Sequence, residues 1–172
     1  SGFIGGHFCR QATDLGLTVI VLTRKTKAAA DRLPSTVHCI ERLSELDTQQ
    51  PIDIILNLAG KPLAESRWTA ARKQSFVDSR VHTTNQLYQY FSALEIKPRV
   101  MISGSAVGYY GSNNNLLDET GASGDDFSAR LCFDWEASAK QFEGLGCRVC
   151  YLRTGIVLGE QGALAKMLPA FK

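Results

Sequence analysis

The chain has 172 residues, 44% of them hydrophobic and 21% charged, a balance that excludes disordered and fibrous classes and leaves enough apolar material for a substantial core. Its formal charge of +2 is too small to suggest a nucleic-acid or membrane surface. No run approaches the roughly 18 apolar residues of a membrane span.

In chain order, Gly2-x-x-Gly5 comes first and runs into a helical pattern of Ile4, Phe8 and Ala12 that Gly16 ends. A β-branched run over 18–23 predicts a strand covered on both faces. A weaker strand is expected over 37–40, and a strong one over 52–58 that stops at Ala59-Gly60. Residues 69–94 contain neither Gly nor Pro and predict one long helix or two abutting ones. A strand over 100–103 leads into a Gly-, Ser-, Asn- and Asp-rich stretch over 104–126, too long for a mere connector. A helix over 127–142, with Leu131, Trp135 and Phe142 facing inward, and a strand over 149–152 complete the series. Strands alternating with helices imply βαβ crossovers and a doubly wound parallel sheet of the α/β class.

The five cysteines, Cys9, Cys39, Cys132, Cys147 and Cys150, are odd in number and form no disulfide framework. Cys147-x-x-Cys150 has no second pair or nearby His to complete a metal site, so all five read as buried, reduced thiols. Reduced thiols, and an opening without signal-peptide character, point to the cytoplasm.

Glycines before a helix suit a phosphate. They permit a tight turn and close backbone approach, while the helix N-terminus offers free N–H groups and positive dipole. The strand that follows ends in Thr23-Arg24-Lys25, where the adenosine ribose of a dinucleotide would lie; Arg at this place accommodates a 2′-phosphate and favours NADP. In such a fold the first strand sits mid-sheet in the order 3-2-1-4-5-6 and precedes Ser1, so the chain is expected to be truncated at its start. Asn57-Leu58-Ala59-Gly60 has the form of a strand end that lets backbone approach a ligand, although a simple turn accounts for it equally.

Four motifs stand in order: Ser1-Gly2-Phe3-Ile4-Gly5; Asn57-Leu58-Ala59-Gly60; Ser103-Gly104-Ser105 with Tyr109-Tyr110-Gly111; and residues 152–159, Leu-Arg-Thr-Gly-Ile-Val-Leu-Gly. Together the chain resembles the short-chain dehydrogenase/reductase superfamily. With Arg67-Trp68, Ser79-Arg80 and Trp135-Glu136 it is similar, more narrowly, to the atypical NAD-dependent epimerase/dehydratase-like group. The resemblance implies a Rossmann domain over 1–172 and a smaller substrate-binding part after Lys172. It places Gly2, Phe3, Ile4 and Gly5 at the pyrophosphate and Thr23 and Arg24 at the adenosine phosphate of NADP(H). Leu58, Ala59, Gly60 and Ser103 would lie beside the cofactor, Arg80 would reach toward it, and Arg153 and Val157 would pass its nicotinamide end.

Hydride-transfer members of the superfamily carry a Ser or Thr and a Tyr-x-x-x-Lys pair, in which the Lys favours the phenolate. Ser105 matches the first element. The second is missing, and Ser128 and Cys132 stand where the Tyr and Lys would fall. Tyr109 or Tyr110 is the substitute acid on this reading. Asp118 and Glu119 read as solvated loop acids, Trp68 as packing and Trp135-Glu136 as a core anchor. The leading expectation is an NADP(H)-binding oxidoreductase or epimerase-like protein acting on a small molecule, a sugar nucleotide by fold analogy, without nucleic-acid or membrane partners. The alternative is a non-catalytic NADP(H)-binding regulatory module.

Overall fold

The computed structural model describes residues 2–63, 67–112 and 114–159, so Ser1, the first residue of the opening motif, lies outside the described residues. The chain divides into two compact units, one of Ser1–Gln50 with Val157–Lys172 and one of Pro51–Ile156.

In the first unit, α1 (Phe3–Asp14) leads to β1 (Ile20–Leu22), α2 (Thr26–Ala30) and β2 (His38–Ile40), with β1 and β2 paired in parallel. Gly16 ends α1 at φ +77°, and Gly16 and Leu17 donate back to the Thr13 and Ala12 carbonyls. Only glycine enters that conformation without a Cβ penalty. The buried face of α1 consists of Gly6, Cys9 and Ala12, whereas Ile4 and Phe8 stay exposed. The larger apolar residues therefore mark the helix but not its packed side. Cys9 and Ala12 join Val19, Ala29, Leu33 and Val37 in one small core. The strand is shorter than the expected 18–23. Even so, His38 N donates to the Val19 carbonyl and Thr23 N to the Ile40 carbonyl, extending the ladder by one bond at each end.

The second unit is a three-stranded parallel sheet, β3 (Ile54–Asn57), β4 (Val100–Ala106) and β5 (Arg148–Thr154), in that order. Between β3 and β4 the helical stretch is a single run. It comprises α3 (Ala70–Val77), a π-helical turn (Asp78–His82) and α4 (Thr83–Ala93). Before β5 comes α5 (Phe127–Lys140), packed on β4 and α4. Phe76, Phe142 and Met101 are fully buried, each contributing about 1.5–3 kcal/mol by leaving water. The unit is Rossmann-like: strands parallel, each crossover helical. Among the described residues no helix is long and apolar enough to cross a membrane.

One sequence expectation needs correction. The loop does not begin at Gly104, because β4 and β5 stay paired as far as Ala106 and Thr154. Ser105 therefore sits within a strand, opposite Arg153, and Thr154 Oγ1 donates to its carbonyl at 3.1 Å. A side chain on a hydrogen-bonded strand is held more firmly than one on a turn.

Among the described residues all five cysteines are free. Burial raises the thiol pKa of Cys9, Cys132 and Cys147, while Cys39 and Cys150 are only partly covered. Since the thiolate is the nucleophile, Cys39 and Cys150 are expected to alkylate first with iodoacetamide at neutral pH. Peptide mass spectrometry over a time course gives the order, and early labelling of Cys132 would contradict the packing of α5.

Candidate functional site

Asp126 caps α5 by accepting from the Ala129 N–H at 2.8 Å, which fixes where the helix starts and so its phase. Ser128, Cys132, Trp135 and Glu136 then recur at helical spacing toward β4, the last three buried. Glu136 is the hub of the site. Its Oε1 accepts from Ser105 Oγ at 2.6 Å and from Arg153 Nε at 2.8 Å, and its Oε2 accepts from Arg153 Nη2 at 2.8 Å. The pair is bidentate and largely enclosed, with side chains 15% and 9% exposed for Arg153 and Glu136. These bonds to Glu136 hold the Arg153 guanidinium in its charged form, with its pKa pushed up.

The remaining Arg153 nitrogen reaches the long loop. Nη1 donates to the Tyr110 hydroxyl at 2.9 Å and to the Glu119 carbonyl at 3.1 Å, while the guanidinium carbon lies 3.6 Å from the centre of the Tyr109 ring. A short 3-10 turn, Val107–Tyr110, presents the two tyrosines edge to face. Gly111 at φ +64° then folds the chain back so that Gly124 N donates to the Tyr109 carbonyl. A Cβ on Gly124 would stand 2.8 Å from Gly111 Cα, so the neck of this loop is closed by two glycines.

A second arrangement lies at the end of β3. Asn57 Nδ2 donates to Thr84 Oγ1 at 2.8 Å, and its Oδ1 accepts from Ala59 N at 3.1 Å, which joins the strand end to the helix after the π turn. The π turn presents Ser79 and Arg80 to the chain leaving the strand: Ser79 Oγ accepts from Lys61 N, and Arg80 Nη2 donates to the Lys61 carbonyl. A Cβ at Gly60 would meet Arg80 Cζ at 2.9 Å. Arg80 also lies 5.2 Å over the Trp135 ring, and burial lowers its pKa. Trp135 in turn fills the space that a side chain on Gly104 would need, with Cη2 2.7 Å from that Cβ. Its Nε1 is a buried donor with no acceptor among the described residues.

The structure thus brings Ser105, Tyr109, Tyr110 and Arg153 together, and separately joins Gly60 with Arg80. Ser103 is fully buried with its hydroxyl on the Gly104 carbonyl, so its side chain serves the strand. Leu58 and Ala59 are half-buried beside Asn57. Trp68 packs between Phe76 and Phe127 and donates to the Leu63 carbonyl, as a packing residue does. Asp118 accepts from Thr120 within its own exposed turn. Glu136, expected from the sequence to be a core anchor, is instead the partner of the candidate catalytic serine. A carboxylate one helical turn after Cys132 is the signal that points to it. Among the described residues no group of three His, Cys, Asp or Glu side chains gathers to hold a metal.

The first unit contains Gly2, Phe3, Ile4, Gly5, Thr23, Arg24 and Val157. Gly2 is the N-cap of α1, no side chain caps that end, and no acid occupies its first turn. A Cβ at Gly2 or Gly5 would meet nothing within 4 Å, so the protein's own packing does not require glycine there. N–H groups that no side chain caps fit a phosphate. Thr23 N pairs with β2, and Arg24 is exposed just beyond the end of β1.

Residues 1–171 match the model of the NAD dependent epimerase/dehydratase family. The epimerase family protein YfhF of Bacillus subtilis is 31% identical over 175 residues, covering all of this chain and 57% of the relative. The crystal structure of human epimerase family protein SDR39U1 (isoform 2) with NADPH is similar with a TM-score of 0.82 at 28% identity, over 99% of this chain and 56% of that one. A nucleoside-diphosphate sugar epimerase from Corynebacterium glutamicum gives a TM-score of 0.75 at 29% identity, over 99% of this chain and 35% of that one. The chain therefore spans little more than half the length of these relatives, or less.

Proposed function

Because the chain belongs to the NAD dependent epimerase/dehydratase family, we propose that residues 1–172 form the NADP(H)-binding part of an oxidoreductase or epimerase-like enzyme acting on a small molecule. The observation that carries this reading is the uncapped, acid-free start of α1 at Gly2, with Arg24 exposed beyond the end of β1. The N–H groups of the first turn of α1 would take the pyrophosphate, and Arg24 the 2′-phosphate that distinguishes NADP(H) from NAD(H). The NADPH in the human relative's structure supports the same choice. When bound, the cofactor supplies hydride chemistry. The chain's own contribution is to orient a substrate oxygen with Ser105 and Tyr110, held in place by Glu136 and Arg153. A nucleotide sugar as substrate is supported by the likeness to the Corynebacterium enzyme. Five free cysteines suit a reducing cytoplasm.

Titration of the full-length protein with NADPH and NADH tests the reading. NADPH is expected to bind tighter, and Arg24→Ala to cost about 10- to 100-fold in NADPH affinity with little change for NADH. That is the range given by about 1.5–3 kcal/mol for a charge-assisted contact. Equal affinities in the parent protein would refute it. The absence of Tyr-x-x-x-Lys, with Ser128 and Cys132 in its place, favours a second reading: a regulatory module that binds NADPH without turnover. Robust turnover of any carbonyl or sugar-nucleotide substrate decides against that one.

A further inference from the structure

We propose that Glu136 and Arg153 are positioning residues that set the hydrogen-bond polarity of the site, turning Ser105 toward a ligand as an acceptor and Tyr110 as a donor. The proposal rests on the reading that Ser105 and Tyr110 face the substrate, and adds what kind of group each can meet.

The reason lies in the donor inventory. A serine hydroxyl has one proton, and at 2.6 Å that of Ser105 is committed to the carboxylate Oε1 of Glu136. Arg153 has donors only, and its Nε and Nη2 end on the two Glu136 oxygens, so both of those oxygens act as acceptors. Ser105 Oγ therefore has only lone pairs left to offer. Tyr110 is the opposite case. Arginine has donors and no acceptor, so the 2.9 Å contact from Arg153 Nη1 ends on a lone pair of the Tyr110 oxygen. The phenolic proton then points elsewhere, toward whatever acceptor a ligand presents.

Three features make this polarity hard to reverse. Glu136 and Arg153 are both mostly enclosed, so water does not readily replace either partner. Arg153 is gripped on its remaining side by the Glu119 carbonyl and by the Tyr109 ring at 3.6 Å. The register of β4 and β5 places Ser105 opposite Arg153, which fixes the distance between the two at backbone level. The lysine of the usual Tyr-x-x-x-Lys pair delivers a positive charge to a tyrosine oxygen. Here a positive charge reaches a tyrosine oxygen from β5 instead of from α5, where Cys132 stands. The ligand class that suits such a site carries a hydroxyl or N–H against Ser105 and an oxygen acceptor against Tyr110.

The test uses full-length protein labelled with 13Cζ-tyrosine and observed by NMR, with proton spectra recorded alongside. Ser105 is expected to give a hydroxyl proton protected from exchange with water, assigned by its loss in Ser105→Ala. In Glu136→Gln that signal should vanish or move, and the Tyr110 13Cζ resonance, assigned through Tyr110→Phe, should move as well. Arg153→Lys, which keeps a donor, should restore part of the Tyr110 position relative to Arg153→Met, while Tyr88 and Tyr90 stay unchanged. A packing role alone would give no protected Ser105 proton and no response of Tyr110 to Glu136→Gln at unchanged circular dichroism. Either result overturns the proposal. Should the Glu136 and Arg153 variants fail to fold, the presence or absence of the protected proton in the parent protein, assigned with Ser105→Ala, still decides. NADPH titration of the same samples is a separate arm: its failure in the parent sinks the cofactor reading while leaving the polarity result to stand or fall by the spectra.

Discussion

Glu136→Ala is expected to lower the unfolding free energy by about 3–5 kcal/mol, the range for breaking one side of an enclosed ion pair. The cause is what the substitution leaves behind. Arg153 loses both of its charged contacts while its side chain stays enclosed, and the buried Ser105 hydroxyl loses its acceptor. The Tyr110 oxygen and the Glu119 carbonyl still accept from Nη1, so the guanidinium is not wholly stranded, which favours the lower half of the range. The origin of the loss can be isolated. Replacing both partners by apolar residues, Glu136→Leu with Arg153→Met, removes the unpaired charge along with the pair, and such exchanges are often close to neutral. The double variant is therefore expected to be more stable than Glu136→Ala alone, although it lacks more native contacts. Urea unfolding of the three proteins measures this. A double variant no more stable than the single one would mean that packing, and not the uncompensated charge, carries the cost.

This network also shows where reading the sequence stops. The β-branched run over 18–23, the apolar 52–58 and the Gly- and Pro-free 69–94 announce their elements, because local propensity and tertiary packing agree there. Ser105, Tyr109, Tyr110 and Arg153 all lie in motifs that can be singled out. Their common partner stands in one too, Trp135-Glu136, but nothing in the sequence joins it to them. Glu136 is 31 residues from Ser105 and 17 from Arg153. The three meet only because the β4–β5 register sets Ser105 opposite Arg153 while Asp126 sets the phase of α5. Neither the register nor the phase follows from composition. The same holds for α1, where the eye goes to Ile4 and Phe8 but the packed face is Gly6, Cys9 and Ala12. Small residues allow close approach of backbone, and that advantage has no hydropathy signal. The extra length of β4 is hidden for a related reason: Gly104 and Ser105 look like turn residues, yet Gly104 is in the strand because Trp135 occupies the place of its side chain.

That last pair supports a prediction with a sign of its own. Trp135→Ala removes a large buried ring and is expected to cost about 3–5 kcal/mol. Trp135→Phe should cost far less, no more than about 1.5 kcal/mol. It keeps an aromatic surface beneath Arg80, and it removes an indole N–H whose burial without an acceptor already costs about 1–3 kcal/mol. Gly104→Ala in the parent protein drives a methyl to 2.7 Å from Trp135 Cη2 and 3.0 Å from Cζ2, an overpacking worth about 1–3 kcal/mol. Phenylalanine has neither atom. The added methyl then finds the space the smaller ring vacates, with the Asn57 carbonyl, 3.3 Å away, still close. Gly104→Ala should therefore be destabilising in the parent protein and nearly neutral when combined with Trp135→Phe, a coupling of about 0.5–3 kcal/mol of the kind neighbours in contact show. A double-mutant cycle by chemical denaturation reads the coupling directly. Additive effects would mean that β4 moves away from α5 to absorb the methyl. In that case the distance from Ser105 to Glu136 would change too, and Gly104→Ala alone would weaken the hydrogen bond at the centre of the site.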